Sequence, residues 1–283
     1  MRLQLALIGN AIAKSRAPTL HKFLGNLHGF DVDYELFDPS LLGRNNFEDQ
    51  FLDLLNNGFD GCNITYPFKQ IALEFIKSPD SFCTLTGAAN TVRFGEITSS
   101  TNTDYSGFIR AIRSKLRADE VGSTLILGAG GVGSAVAFGL TSLSIESCYV
   151  FDRLPDRAIR LVKALRSNGH LAEAVSLIEL ERVSQKVEGL LNCSPVGHYQ
   201  SLGMPIQEKH IGNQKWAFDA VYTPVETEFL RTCREANLNV ISGFELFFYQ
   251  GLDSFEFWTE QKTDEKQVKA AFIRESGIDL PSI

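Results

Sequence analysis

Six consecutive residues carry a pattern with mechanical meaning: Gly128, Ala129, Gly130, Gly131, Val132 and Gly133. The apolar run Thr124–Leu127 precedes them, and the Ala-rich stretch Gly131–Leu143 follows. In a G-x-G-x-x-G between strand and helix, the first glycine permits a tight turn. The second lets backbone approach an anion, and the third lets helix pack close to strand. Helix-terminal N–H groups and the helix dipole then favour a pyrophosphate. Alone the pattern is weak, because glycine-rich turns often merely connect elements. Asp152 strengthens it. It ends the next apolar run at 152 − 128 = 24 residues downstream, near the roughly 20 at which a carboxylate meets a ribose. The spacing predicts a dinucleotide site. A carboxylate there accepts ribose hydroxyls and repels a 2′-phosphate, which favours NAD. Arg153 could instead pair with a phosphate or stack on adenine, and this keeps NADP as the alternative.

A second set of polar residues lies upstream. Gly9–Pro18, Asn63–Lys69 and Gly87–Thr91 follow apolar runs, and Thr101–Asp104 closes the N-terminal third. They bring Ser15, Asn63, Thr65, Lys69, Asn90 and Asp104. In open α/β sheets ligands sit beyond the carboxyl ends of strands. Hydroxyls, amides, one ammonium and one carboxylate gathered there suit a polyhydroxylated acid. Singly, each has a plain explanation. Asn and Thr form turns, Asp104 caps a helix, and a lysine in a helix's first turn is usually solvated. Four such segments ahead of one dinucleotide turn weigh against reading them singly.

The elements that must position these groups alternate between short apolar runs and helical periods, the signature of βαβ units. Strands are predicted at Leu3–Ile8, Tyr34–Phe37, Gly61–Ile64 and Thr91–Phe94. Helices are predicted at Pro18–Leu27, Leu41–Leu55 and Phe68–Ile76. After Thr103 the units become more regular. Asp104 to about Leu116, Gly131–Leu143, Pro155–Leu165, Glu226–Ala236, Phe244–Phe257 and Lys266–Arg274 read as helices. Thr124–Leu127, Cys148–Phe151, Gly189–Asn192, Ala217–Val221 and Val240–Ile241 read as strands. The expectation is an α/β protein of two domains. Residues 1–102 form an α/β substrate domain with a mixed sheet, on which residues 243–283 pack back. Residues 103–242 form a Rossmann-type, doubly wound dinucleotide-binding domain.

Composition permits this. The 283 residues are 44% hydrophobic and 22% charged, with a net charge of −7, so sizeable cores can form and non-specific nucleic-acid binding is disfavoured. No run approaches the roughly 18 to 20 apolar residues that span a bilayer. The N-terminal run, broken by Gln4, reads as a buried strand rather than a signal peptide. The five cysteines are scattered without a C-x-x-C pair, so neither a disulfide framework nor a metal site is expected, and a reducing cytoplasm is the default.

The ordered set GNAIAKSRAP, NITYPFK, GAANT, NTDYSG, LGAGGVGSA, NCSPVG, DAVYTPVETEFL and SGFELFFYQG, running from Gly9 past Gln250, resembles the shikimate dehydrogenase family, including its quinate-using relatives. The resemblance implies a substrate domain, a Rossmann domain and a cleft between them. It implies reversible hydride transfer between a nicotinamide and a ring alcohol of shikimate, quinate or a similar cyclohexane carboxylate. It places the catalytic pair at Lys69 and Asp104, with substrate contacts from Ser15, Asn63, Thr65, Asn90, Tyr222 and Gln250. It adds Asn192, Cys193, Val221 and Gly243 to the cofactor residues. The chain departs from the family's Ser-x-Ser at Ala17, which removes one hydrogen bond to a charged group, worth roughly 1.5 to 3 kcal/mol. Lys14 replaces a common histidine, and Asp152 replaces the Asn of NADP-using biosynthetic members. The departures at Ala17 and Asp152 point to a divergent, NAD-linked paralogue. The expected partner is a small hydroxylated ring carboxylate, and the expected state a monomer or homodimer. Two other readings stand beside it: the standard NADP-dependent biosynthetic enzyme, and a regulator that senses a ring acid without turning it over.

Overall fold

The structure of the protein is a computed structural model and describes residues 1–39, 47–143 and 145–278. Its elements in chain order begin with β1 (Arg2–Ile8), α1 (Ala17–His28), β2 (Asp31–Phe37), α2 (Phe47–Asn56), β3 (Gly61–Ile64), β4 (Ser78–Pro79), α3 (Ser81–Thr86), β5 (Thr91–Arg93), β6 (Ser99–Thr101) and α4 (Thr103–Arg113). There follow β7 (Thr124–Leu127), α5 (Gly131–Thr141), β8 (Cys148–Phe151), α6 (Pro155–Ser167), β9 (Ala172–Ala174), α7 (Leu180–Ser184), β10 (Gly189–Asn192), β11 (Trp216–Asp219), α8 (Glu228–Glu235), β12 (Asn239–Ile241), α9 (Gly243–Thr259) and α10 (Glu265–Ser276). Two compact units divide the chain, Met1–Ser106 with Phe248–Asp279, and Gly107–Phe247. The divisions fall inside α4 and α9.

The first unit holds a mixed sheet in the order β2-β1-β3-β5-β6-β4. β1 runs parallel to β2 and β3, whereas β5 is antiparallel to β3 and β6. Ile8 pairs with both Phe37 and Ile64, so the carboxyl ends of β1, β2 and β3 lie level. The loops leaving β1 and β3 are then stitched together. Thr65 N donates to Ile8 O at 2.9 Å, and Asn10 N donates to Tyr66 O at 2.9 Å. α1 starts with Pro18 in its first turn and stops at Gly29, whose φ of 73° few other residues adopt. Behind the sheet Phe47, Phe51, Leu54, Ile64 and Val92 share one apolar core.

The second unit holds a sheet in the order β12-β11-β10-β7-β8-β9, parallel throughout. Strands β7, β10 and β11 are buried at every residue, as a sheet covered on both faces requires. From β7 the chain winds outward through β8 and β9, then returns to build β10, β11 and β12 on the other side. The order therefore reverses between β7 and β10, the switch point at which such sheets bind ligands. The glycine turn leaves β7 at that point.

Two expected helices differ, and three strands were not expected. The helix predicted over Phe68–Ile76 is a 3₁₀ turn over Ile71–Phe75. A regular helix would need Lys69 O to accept from Leu73 N. Instead Lys69 O accepts Ala89 N at 2.8 Å, and Leu73 N turns to Gln70 O at 3.3 Å. Short strands at β4, β6 and β9 carried too few residues to show a period. The predicted helix from Leu41 is seen from Phe47, and its earlier residues lie outside the described ones.

Candidate active site

In the first unit Lys69 sits in the turn after β3 and Asp104 in the first turn of α4. Lys69 Nζ lies 2.5 Å from Asp104 Oδ2. The two residues are only 8% and 4% exposed, so Lys69 is not the solvated lysine that its residue type taken singly would suggest. Two corrections follow. Lys69 does not stand in a helix, and Asp104 is not the cap of α4. Asn102 takes that role by accepting Tyr105 N at 3.3 Å, while its Nδ2 donates to Thr86 Oγ1 and Ala88 O at 2.8 and 2.9 Å. Asn102 thereby clamps the start of α4, and with it Asp104, to the segment before Asn90.

The amides assemble beside this pair. Asn90 Oδ1 accepts Thr103 N at 2.7 Å, and its Nδ2 donates to Thr103 Oγ1 at 2.9 Å, with Gln250 Oε1 at 3.5 Å. Asn63 Oδ1 accepts the Tyr34 hydroxyl at 2.8 Å, and its Nδ2 faces Asn90 O, Thr91 Oγ1 and Ser254 Oγ at 3.1 to 3.2 Å. Asn63, Asn90, Lys69, Asp104 and Gln250 thus join one connected region of the first unit. Thr65 is half-buried at the end of β3, where Gly9 leaves room for its methyl; a Cβ at Gly9 would collide with it. Ser15, also half-buried, has its Oγ accepting Ala17 N at 3.2 Å. Ala17 itself is buried.

The residues predicted for the cofactor gather in the second unit at the carboxyl ends of β7, β8, β10, β11 and β12. Gly128 has φ +109°, and a Cβ there would meet Cys193 C and Ser194 N at 2.8 Å. A Cβ at Gly133 would collide with Gly128 O, whereas a Cβ at Gly130 would meet nothing within 4 Å. The backbone is therefore closed behind the turn and open in front of Gly130. That opening, with Gly131 and Val132 starting α5, fits a dinucleotide pyrophosphate. Asp152 accepts Ala129 N at 2.7 Å and Leu154 N at 2.8 Å, one on each oxygen. Arg153 beside it is exposed.

Asn192 is fully buried, and its amide is engaged on every side. Its oxygen accepts Ser194 N and Oγ at 3.0 and 2.7 Å, and its nitrogen donates to Val196 O and Asp219 Oδ1 at 2.8 and 2.9 Å. Asp219 also accepts Val221 N and Thr227 Oγ1. Burial pushes its carboxyl up to about 7 against the pull of these donors. A Cβ at Gly243 would collide with Val221 O, so Val221 and Gly243 touch through backbone. Tyr222 stacks on Phe247 with ring centres 4.6 Å apart and planes within 16°. Phe247 was not singled out in the sequence, although its place three residues before Gln250 on α9 offered a helical spacing to test.

No described helix is long and apolar enough to cross a membrane, and none of the five cysteines forms a disulfide.

Comparison with known proteins gives consistent results. The family described as Shikimate dehydrogenase substrate binding domain matches residues 7–92. The chain is 32% identical over 276 residues to the quinate/shikimate dehydrogenase (NAD(+)) of Corynebacterium efficiens, covering 95% of this chain and 97% of that one. It is 30% identical over 279 residues to the shikimate dehydrogenase (NADP(+)) of an Arthrobacter species, covering 95% and 94%. Among solved structures, quinate dehydrogenase from Corynebacterium glutamicum in complex with NAD superposes with a TM-score of 0.86 at 29% identity, covering 96% of this chain and 99% of that one. Shikimate 5-dehydrogenase from Thermus thermophilus in complex with NADP(H) and shikimate gives 0.82 at 29% identity, covering 96% and 99%.

Proposed function

Because the chain belongs to the shikimate/quinate dehydrogenase family, we propose that it oxidises and reduces a ring hydroxyl of quinate, shikimate or a related cyclohexane carboxylate, with NAD as the preferred cofactor. The first unit is the substrate-binding part, and the second holds the dinucleotide at the turn Gly128–Gly133. The observation that carries the reading is the buried pair Lys69 and Asp104, 2.5 Å apart, next to the amides of Asn63 and Asn90.

When bound, the nicotinamide supplies hydride donor and acceptor chemistry. The protein's residues do the rest. As the ring carbon loses hydride, its hydroxyl proton passes to the Lys69–Asp104 pair, and in reduction the pair returns it. The 2.5 Å contact keeps the two side chains together as one pair. Asn90 and Gln250 together grip a hydroxyl, one donating and the other accepting. Ser15 donates to the carboxylate, with Asn63 and Thr65 beside it. With Ala17 lacking a hydroxyl, the carboxylate is held by fewer direct bonds, which supports a substrate broader than shikimate alone.

Asp152 supports NAD, since its charge opposes a 2′-phosphate. The exposed Arg153 favours the second reading, in which NADP is also accepted. The buried ion pair supports an enzyme over a sensing protein. Cysteines without disulfides suit a reducing compartment. Assaying nicotinamide reduction with quinate and shikimate, each with NAD⁺ and NADP⁺, tests the reading. Turnover with a ring acid supports it, and kcat/KM for the two dinucleotides decides the cofactor.

A further inference from the structure

Ser254 lies on α9 one turn after Gln250 and is fully buried, at 0% exposure. Its Oγ is 2.8 Å from Thr91 Oγ1, 3.0 Å from Thr103 Oγ1 and 3.2 Å from Asn63 Nδ2, and it donates to Gln250 O at 2.8 Å. Thr91 and Thr103 hydroxyls are themselves 3.2 Å apart. Three buried hydroxyls thus close a triangle that joins β5, the first residue of α4 and α9.

Counting protons gives the triangle a direction. Ser254 has one proton, and the Gln250 carbonyl takes it. Towards the triangle Ser254 can only accept, from Asn63 N–H and from one threonine hydroxyl. The Asn90 carbonyl, which can only accept, faces Asn63 Nδ2 at 3.2 Å, and the Tyr34 hydroxyl donates to Asn63 Oδ1 at 2.8 Å, so the NH₂ end of Asn63 faces the triangle. Thr103 N fixes Asn90 Oδ1 from the opposite side at 2.7 Å. Remove the Ser254 oxygen and a threonine hydroxyl loses its acceptor in a dry interior, where an unmet donor is costly, while Asn63 Nδ2 is left with Asn90 O and Thr91 Oγ1 alone. The nearest substitute for the freed threonine proton is Asn90 Oδ1, already 3.1 to 3.2 Å from both threonine hydroxyls. That atom holds Thr103 N, and Thr103 precedes Asp104.

We propose that Ser254 is a positioning residue that sets which ends of the Asn63 and Asn90 amides meet the substrate, through the hydroxyl triangle with Thr91 and Thr103. It acts on the ring acid and not on the dinucleotide. The inference rests on the ring-acid reading above, and it adds a residue that touches no substrate.

The test compares Ser254→Ala, Thr91→Val and the double variant in steady-state kinetics on quinate and shikimate. Each single change raises the ring-acid KM about tenfold, the scale of one lost hydrogen bond. The dinucleotide KM stays within about twofold. The double variant is no worse than the poorer single one, because both break one network. Thr91→Val keeps side-chain shape, so it carries the test if Ser254→Ala does not yield soluble protein. An unchanged ring-acid KM, with the loss confined to thermal stability or active fraction, overturns the proposal while leaving the enzyme reading intact. A wild-type chain inactive on every ring acid overturns both.

Discussion

The carboxylate of Asp152 accepts the backbone N–H of Ala129 at 2.7 Å, so the acidic strand end and the glycine turn are mechanically one piece. Asp152 braces the turn, and in the proposed function it also opposes a 2′-phosphate. Asp152→Ser removes both. The ratio of kcat/KM for NADP⁺ to that for NAD⁺ is expected to rise about 10- to 100-fold. Stability falls by about 2 kcal/mol, the worth of a charged hydrogen bond. Asp152→Asn keeps one acceptor oxygen and lands between. Steady-state kinetics with both dinucleotides, alongside urea melts, measures the two effects separately. A variant with unchanged preference would remove Asp152 from the discrimination.

The glycines of the turn separate stability from binding. Gly133→Ala drives a methyl into Gly128 O, with α5 and β7 both fixed, so it should cost about 2 kcal/mol or more of stability. Gly130→Ala meets nothing within 4 Å and leaves the thermal midpoint nearly unchanged. It fills the space an incoming pyrophosphate needs, and dinucleotide affinity should drop about tenfold or more. Thermal melts and fluorescence titration with NADH read these out. Equal effects of the two changes on affinity and melting would contradict the assignment.

His21 predicts a pH dependence. Its ring lies fully buried, parallel to Tyr34 at 5.1 Å and edge-on to Trp258 at 5.1 Å. Burial pulls its pKa down from 6.5 to about 3, against a smaller opposing effect of Asn63. The folded protein holds the ring neutral while the unfolded chain takes up a proton. The contribution is therefore complete above pH 6.5 and is lost as pH falls towards 3, by up to about 1.4 kcal/mol per pH unit. His21→Phe keeps a ring and removes the titration. Urea melts from pH 7 down should show the variant gaining on the wild type across that window (~7 to ~3). A gap independent of pH would show that the ring does not titrate on unfolding.

The turn Gly128–Gly133 was legible in the sequence because its glycines answer to local backbone sterics. The parallel second sheet was legible because its strands, buried on both faces, read as apolar runs. The candidate set at Lys69, Asn90 and Asp104 was legible as residue types, yet its geometry was not. Nothing local says that Lys69 O serves Ala89 N and so prevents a helix, or that Asn102 and not Asp104 caps α4. Both depend on strands brought side by side. The same holds for Asn192, which the resemblance puts among the cofactor residues and whose amide meets Ser194, Val196 and Asp219 in the fold. Ser254 left one trace, its i+4 spacing from Gln250, which has meaning only once β5 and α4 are seen to converge on it.

The most direct measurement is initial-rate formation of reduced nicotinamide by the wild type and Lys69→Ala, given quinate or shikimate with NAD⁺ or NADP⁺. The wild type is expected to turn over a ring acid, faster with NAD⁺. Lys69→Ala should lose about 100-fold or more of kcat while binding the dinucleotide as tightly as before. Undiminished turnover by Lys69→Ala, or a wild type that binds dinucleotide and ring acid yet reduces neither nicotinamide, would contradict the account.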